Sequence, residues 1–150
     1  MPQSVSMTPP EEVMAELARR VEAVMAAVTA HCAYIGEECV REARSNHLYL
    51  NQTGNLCSSI GYAVVADGRV VAGGGFRVVG QGAGGAARGR ELLARLADEH
   101  AQPGHVALII VAGMDYTSYV EDMHLNVFDS AATLMRSRVD GMIRKHFTTR

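Results

Sequence analysis

The chain contains 150 residues with a net charge of −2 at pH 7, and its isoelectric point is about 6.3. A chain of this length predicts one domain, which can bury roughly 68–70% of its unfolded surface without metal or disulfide crosslinks. The nearly balanced charge argues against attraction of nucleic acid or an anionic membrane through the overall field. Three cysteines, an odd number without C-x-x-C spacing, indicate neither a disulfide framework nor a zinc knuckle and fit a reducing cytoplasm.

The polar, proline-containing N-terminus predicts a disordered arm over residues 1–10, without the basic and apolar regions of a signal peptide. Thr8, Pro10 and Glu11 then combine a hydroxyl cap, a first-turn proline and a carboxylate, which indicates a helix start. Apolar residues recur at helical steps up to about Ser45: Val13, Leu17, Val21, Val24, Val28, Ile35 and Cys39. Such a helix is about 50 Å long, whereas a 150-residue domain has a radius of gyration of only ~15 Å. Part of it should therefore project or pack on a neighbouring subunit.

The middle of the chain predicts a β-hairpin followed by a glycine-rich loop. Apolar residues alternate around Asp67 and Gly68, a pair that accepts the positive φ of a two-residue hairpin turn. Residues 73–89 contain so many glycines that we expect a flexible loop there. A helix from about Gly89 to Ala101 should follow, because a Pro-Gly pair then stops it.

Two further elements close the chain. The continuous run HVALIIVAG predicts a central strand buried on both faces. Residues 130–147 predict an amphipathic helix with an inward-facing apolar side: Leu134, Met135, Val139, Met142, Ile143 and Phe147. The longest apolar run, Val106–Met114, is far shorter than the ~20 residues that span a bilayer, so we expect no membrane contact. The element order indicates an α+β fold with a long N-terminal helix, a small, mostly antiparallel sheet and helices packed on one face.

Gly80, Gly82 and Gly85 match the G-x-G-x-x-G spacing of a dinucleotide-binding turn. That turn requires a βαβ unit and an acidic residue about 20 positions later, whereas the strand before Gly80 belongs to the hairpin region. No Gly-Lys-Ser/Thr follows to form a P-loop. We therefore predict a flexible connection, or a loop that orders on assembly. A small nucleotide-binding enzyme that uses the Gly80–Gly85 loop remains the alternative.

Other candidates for catalysis or metal binding are weaker. Cys57 fits a small buried residue better than a nucleophile, and the six histidines lack metal-ligand spacing. Asp115, Glu121 and Asp122 lie beside tyrosines, which is more typical of a polar rim or an intersubunit ion pair than of acid–base catalysis. We therefore predict that the chain is not an enzyme and has no catalytic, cofactor-binding or metal-binding residues. A further alternative is a DNA-binding module that uses basic residues near the C-terminus: Arg136, Arg138, Arg144, Lys145 and Arg150.

Two stretches, in the expected order, carry a resemblance to a known family. QTGNLCSSIGY (residues 52–62) and VAGMDYTSYVEDM (residues 111–123) resemble two signature segments of phage head–tail joining and tail-completion proteins. The family motif corresponds to nine positions in this chain: Thr53, Gly54, Leu56, Ser59, Ile60, Tyr116, Tyr119, Val120 and Glu121. Two features depart from it, since Cys57 replaces a common basic residue and EDMHLNV replaces a usual Glu-Phe/Tyr-Gly-Thr.

This resemblance implies a single tail-completion-like domain over residues 11–150. It implies a non-enzymatic virion structural protein that forms a homo-oligomeric ring, as a head–tail connector or a tail-completion or terminator component. Its partners would be further copies of itself and other neck, portal-adaptor or tail-tube proteins, and DNA would pass through the lumen without specific binding. The protein would be made in the bacterial cytoplasm and reside in the tail or neck of the virion. Because a ring subunit needs two different patches, the first helix and the 73–89 loop are the candidate contacts.

Overall fold

The computed structural model describes residues 7–45, 53–114 and 129–147. In that part of the chain, helices and strands follow in the order α1 (Pro10–Ser45), α2 (Asn55–Ser58), β1 (Ile60–Ala66), β2 (Arg69–Gly75), α3 (Ala83–Glu99), β3 (Val106–Ala112) and α4 (Asp129–Phe147). The three strands form one antiparallel sheet. The prediction of an α+β fold with a long N-terminal helix and a small antiparallel sheet is therefore confirmed.

The first helix begins where the sequence predicts. The backbone amides of Glu12 and Val13 donate to the Pro9 carbonyl at 3.0 and 3.2 Å, and Glu11 and Glu12 lie in the first turn, at the positive end of the helix dipole. Its 36 residues make α1 about 54 Å long. Only the part from Val28 onward carries buried residues, so the N-terminal half projects from the domain, as its length predicts.

The hairpin between β1 and β2 turns at the predicted residues. Asp67 and Gly68 both have positive φ, 50° and 81°, which suits a two-residue turn between twisted strands. Hydrogen bonds also tie this turn to the segment before β3. The Asp67 amide donates to the His105 carbonyl at 3.0 Å, and the Gly104 amide donates to Asp67 Oδ1 at 2.9 Å.

The centre of the sheet is β1, which pairs with β2 on one side and β3 on the other. The prediction of a central strand at Val106–Ala112 is wrong, because within the described ranges β3 pairs with β1 alone and is mostly half-buried. With the sequence IGYAVVA, β1 is as apolar as β3, so composition alone did not separate the centre from the edge. Strands on both sides and helices above and below bury β1 over nearly its whole length.

Helices cover both faces of the sheet, whereas the sequence predicted helices on one face. Successive residues of a strand point to opposite faces. Tyr62 and Val64 of β1 lie in a core with Ile35 of α1 and with α4, whereas Ala63 packs with Leu93 of α3 in a second core. An apolar strand with two buried faces needs cover on both, and α3 supplies the second layer.

Most of the glycine-rich segment is regular structure. Gly73–Gly75 belong to β2, and Gly84, Gly85 and Gly89 lie within α3, so only residues 76–82 connect the two elements. The predictions of a flexible loop over 73–89 and of a helix that starts near Gly89 are therefore wrong. Each helical glycine costs about 1 kcal/mol relative to alanine, and close packing explains this cost at Gly85 and Gly89, where a Cβ atom would overlap backbone atoms of Asn55 and Ser59.

The predicted C-terminal helix is confirmed as α4, which runs antiparallel to the second half of α1. Arg138 Nε lies 3.2 Å from Glu38 Oε2, and the ring centroids of His146 and His31 lie 5.8 Å apart. The C-terminal end of α4 therefore lies near the middle of α1, where the projecting half of α1 begins. Among the described helices, none is long and apolar enough to cross a membrane.

Candidate functional site

The first family-like motif forms a compact turn that leads into β1. Gly54 has a φ of 80°, a conformation that favours glycine. The Asn55 amide donates to Thr53 Oγ1 at 3.3 Å, and Ser59 Oγ donates to the Leu56 carbonyl at 2.7 Å. Of the five motif residues in this turn, all but Thr53 are buried: Gly54, Leu56, Ser59 and Ile60. These contacts indicate that the motif keeps the local fold.

This turn packs against the start of α3 through a row of closely approaching glycines that we call the glycine seam: Gly54, Gly82, Gly85, Gly89 and Gly113. A Cβ atom at Gly82 would overlap Ser58 Oγ, and a Cβ atom at Gly85 would overlap the Asn55 carbonyl. Gly82 has an ordinary φ of −83°. Close approach, and not an unusual backbone conformation, therefore requires glycine at this position.

Hydrogen bonds cross the seam at three places. The Val79 amide donates to Ser58 Oγ at 2.8 Å, and the Gln81 amide donates to the Thr53 carbonyl at 3.0 Å. The Gly85 amide, in the first turn of α3, donates to Asn55 Oδ1 at 3.0 Å. The loop before α3 is therefore fixed to the first motif by main-chain and side-chain bonds.

These contacts account for the second and third glycines of the G-x-G-x-x-G spacing, and the first, Gly80, has a positive φ of 56°. A dinucleotide-binding turn needs its glycines so that the backbone can approach a pyrophosphate at a helix N-terminus. In this chain, the backbone at Gly82 and Gly85 approaches α2, and the side chain of Asn55 accepts the hydrogen bond from a first-turn amide of α3. The glycines thus serve packing within the protein.

The second motif begins beside the first. Ala112, near the end of β3, pairs with Ile60, and the next amide, that of Gly113, donates to the Ser59 carbonyl at 3.2 Å. The two quoted stretches therefore meet at this end of the sheet. The four remaining motif positions lie outside the described residues: Tyr116, Tyr119, Val120 and Glu121.

The projecting half of α1, residues 10–27, exposes a row of large apolar side chains at three- and four-residue steps. Met14 is 64% exposed and Leu17 is 53% exposed, and the row continues through Val21 and Val24. Glu16 pairs with Arg19 at 2.7 Å and with Arg20 at 3.0 Å, and these two guanidinium groups lower the pKa of the Glu16 carboxyl. The projecting half is therefore amphipathic, although no described part of the subunit covers its apolar side.

A second apolar surface lies at the base of this projection. We call it the α4 groove, an open cleft of about 570 Å³ between α1, the start of β3 and α4. Its wall includes six apolar residues: Met25, Val28, Val106, Met142, Ile143 and Phe147. Ile143 and Phe147 were predicted to face inward, but they are 46% and 56% exposed at the end of the groove. Periodicity identified the apolar side of α4 correctly, but only part of that side is covered.

Two observations concern metal binding and thiol chemistry in the described residues. No group of three or more His, Cys, Asp or Glu side chains among them could hold a metal ion. All three cysteines are buried and none forms a disulfide, which confirms the expectation that Cys57 is a small buried residue. Burial raises the pKa of the Cys39 thiol to about 11, with smaller contributions from Glu38 and Glu42. A reactive thiolate is therefore disfavoured at Cys39.

Comparison with known proteins gives no assignment, because no family model matches the chain and neither a curated protein nor a solved structure shows significant similarity to it.

Proposed function

We propose that this protein is a non-enzymatic structural protein of a phage virion that assembles into a closed homo-oligomeric ring. In this proposal the ring acts as a head–tail connector or as a tail-completion or terminator component. The observation that carries the proposal is the projecting half of α1. It extends about 27 Å beyond the packed part of the domain and exposes an apolar row that is 37–64% accessible at each large side chain.

An apolar row of this kind favours association. Contiguous exposed apolar patches on soluble proteins mark interaction sites, since burying them removes apolar area from water at about 25 cal/mol per Å². In addition, a marginal isolated helix gains most of its stability from packing its apolar side. A partner that covers residues 10–27 would therefore stabilise both the helix and the assembly.

The phage assignment rests on the resemblance of the two motifs and on the order of elements. A long helix, a turn with Thr53 and Gly54, a hairpin, a strand and a last helix follow one another, with α3 inserted between the hairpin and the strand. The contact of the first motif with the start of the second is consistent with a role for both in one structural unit. In this proposal, DNA passes through the lumen of the ring without specific binding, and the near-neutral net charge suits that role.

The oligomer can be tested by native mass spectrometry of the purified full chain across a concentration series. A discrete ring mass without bound nucleotide is the expected result. A monomer at every concentration would contradict the ring, and a co-purifying nucleotide would favour the enzyme alternative. Location can be tested by immunogold electron microscopy of phage particles released from the source cells, where label at the head–tail junction or tail end is expected and label elsewhere contradicts the assignment.

A further inference from the structure

We infer that the projecting half of α1 in one subunit docks in the α4 groove of the next subunit. This inference rests on the proposed ring, and it identifies the two surfaces that make each contact. Such a contact is heterologous, because each subunit contributes its helix on one side and its groove on the other. Heterologous contacts generate rings when the rotation closes.

The two surfaces complement each other in shape and polarity. One is a convex helix with half-exposed Leu17 and Val21, and the other is a concave apolar cleft with half-exposed Ile143 and Phe147 at its end. An amphipathic helix that lays its apolar side in an apolar groove is a recurring mode of protein recognition. Two convex helices or two grooves would match each other less well.

A projecting half that fills the groove must come from another copy of the chain. The projecting half continues without a break into the part of α1 that supplies Val28 and Cys32 to the groove wall. A continuous α-helix cannot fold back on its own side, so the projecting half cannot fill the groove of its own subunit. A second copy supplies a helix of the required character without any additional partner.

Charge complementarity supports the same pairing. Glu11 and Glu12 lie exposed in the first turn of α1, while Glu16 farther along is neutralised by its own arginines. Arg144 and Lys145 are exposed in the last turn of α4, next to the groove residues Ile143 and Phe147. Docking of the helix tip beside the end of α4 would bring opposite charges together. Pairing two identical tips would instead leave both basic groups and both grooves uncovered.

The estimated area of a single contact is small, and only repetition around a ring makes it a stable interface. A helix about 11 Å across and about 27 Å long offers roughly half of its side, on the order of 450 Å², to a groove. Counting both partners, each contact would bury about 900 Å², which is below the ~1,000 Å² expected of a stable specific interface, so a single contact is weak. In a closed ring every subunit makes two such contacts, which strengthens the assembly by avidity.

A charge-reversal exchange tests this pairing with the full chain. One variant carries Glu11→Lys and Glu12→Lys, and the other carries Arg144→Glu and Lys145→Glu. Each variant alone should raise the concentration for half-assembly about tenfold or more in sedimentation velocity, because like charges meet at every contact. A chain that carries all four changes should recover assembly for any number of subunits, since each reversed tip then meets a reversed groove. Failure of this four-change chain to recover assembly would overturn the inference.

Replacing single apolar residues by glutamate distinguishes this contact from other ways of forming a ring. Leu17→Glu and Ile143→Glu should each abolish assembly, whereas Val70→Glu, at an exposed valine of β2 outside both surfaces, should leave it intact. Assembly that survives Ile143→Glu but not Leu17→Glu would show helix-to-helix pairing and overturn the groove contact. A ring unaffected by any of these changes would overturn the contact while leaving the ring proposal standing, and a wild-type chain that stays monomeric would overturn both.

Discussion

The aromatic ring of Tyr62 in β1 occupies the space that a side chain at Gly36 in α1 would fill. A Cβ atom built at Gly36 would overlap three carbon atoms of the ring. The phenol Oη then donates to Glu37 Oε1 at 3.0 Å, so the ring is fixed at both ends. A glycine in the interior of a long helix is unfavourable by itself, and this contact explains its presence.

Replacing Gly36 by alanine should therefore destabilise the protein. Overpacking a well-filled core costs about 1–3 kcal/mol, and the gain in helix propensity returns about 1 kcal/mol. A net loss of up to about 2 kcal/mol is expected in urea unfolding monitored by circular dichroism. The matched control is Gly141→Ala in α4, an exposed glycine whose Cβ would meet no atom within 4 Å. That change should stabilise the protein by about 0.5–1 kcal/mol, and equal effects of the two substitutions would contradict the packing argument.

The phenol of Tyr62 also predicts a loss of stability at high pH. Burial, followed by the hydrogen bond and the negative charge of Glu37, raises the pKa of Tyr62 to about 12, from an ordinary value of about 10. The folded state therefore retains the phenol proton longer than the unfolded state does. The contribution of Tyr62 to stability is fully present below pH 10 and is lost as the pH rises through 12. By pH 11.5 the loss in the free energy of unfolding is about 2 kcal/mol.

Urea unfolding of the wild type and of Tyr62→Phe between pH 9 and pH 11.5 measures this effect. Other groups titrate in both chains, so the difference between the two curves isolates Tyr62. Tyr62→Phe should be about 1 kcal/mol less stable at pH 9, because the hydrogen bond to Glu37 is lost, and it should overtake the wild type as the pH rises. Parallel curves would show that Tyr62 ionises normally in the folded state.

The native cysteines should resist thiol reagents. Cys32, Cys39 and Cys57 are all at most 4% exposed, and burial raises the pKa of both Cys32 and Cys39. Absorbance with a disulfide reagent at pH 8 should show almost no reaction in buffer and three thiols in urea. Ser137→Cys, at an exposed position of α4, should add one fast-reacting thiol to the native protein. Fast native labelling of the wild type would show that the core opens readily.

The sequence predicted the elements whose signals are local. The apolar period, the first-turn proline and the Asp67–Gly68 turn identified α1 and the hairpin because propensity and pattern agree there. Local sequence signals failed to predict the structure where tertiary packing determines it. Glycines that permit close backbone approach cannot be told from glycines of a mobile loop without the partner backbone, and Gly85 finds that partner 30 residues away, at Asn55.

The two candidate surfaces likewise differ in how far the sequence could predict them. The excess length of α1 was enough to predict a projecting segment that a partner could cover, since helix length and domain size follow from residue number alone. The α4 groove could not be predicted, because it depends on where α4 ends against α1. Periodicity placed Ile143 and Phe147 on the apolar side of α4. Both nevertheless remain about half exposed, because they lie at the open end of the groove.

The glycine seam predicts a position-dependent response to alanine in the segment that resembles a nucleotide-binding turn. Gly85→Ala should destabilise the protein by about 2–3 kcal/mol, because its Cβ would meet the Asn55 carbonyl and a backbone atom cannot rotate away. Gly84→Ala should be neutral or stabilising by up to about 1 kcal/mol, since its nearest neighbour, Asn55 Oδ1, lies 3.9 Å from the new Cβ.

Thermal unfolding of both variants, with and without ATP or NAD at millimolar concentration, checks this prediction and its rival together. Nucleotides should not change the melting temperature of the wild type, because the backbone of the seam is engaged with α2 and Asn55. A bound ligand at 100 times its dissociation constant would stabilise the fold by about 2.7 kcal/mol, which is a readily measured shift. A rise in melting temperature with nucleotide that Gly85→Ala removes would overturn the packing explanation. The glycine seam instead predicts that Gly85→Ala and Gly84→Ala differ in stability and that nucleotide changes neither.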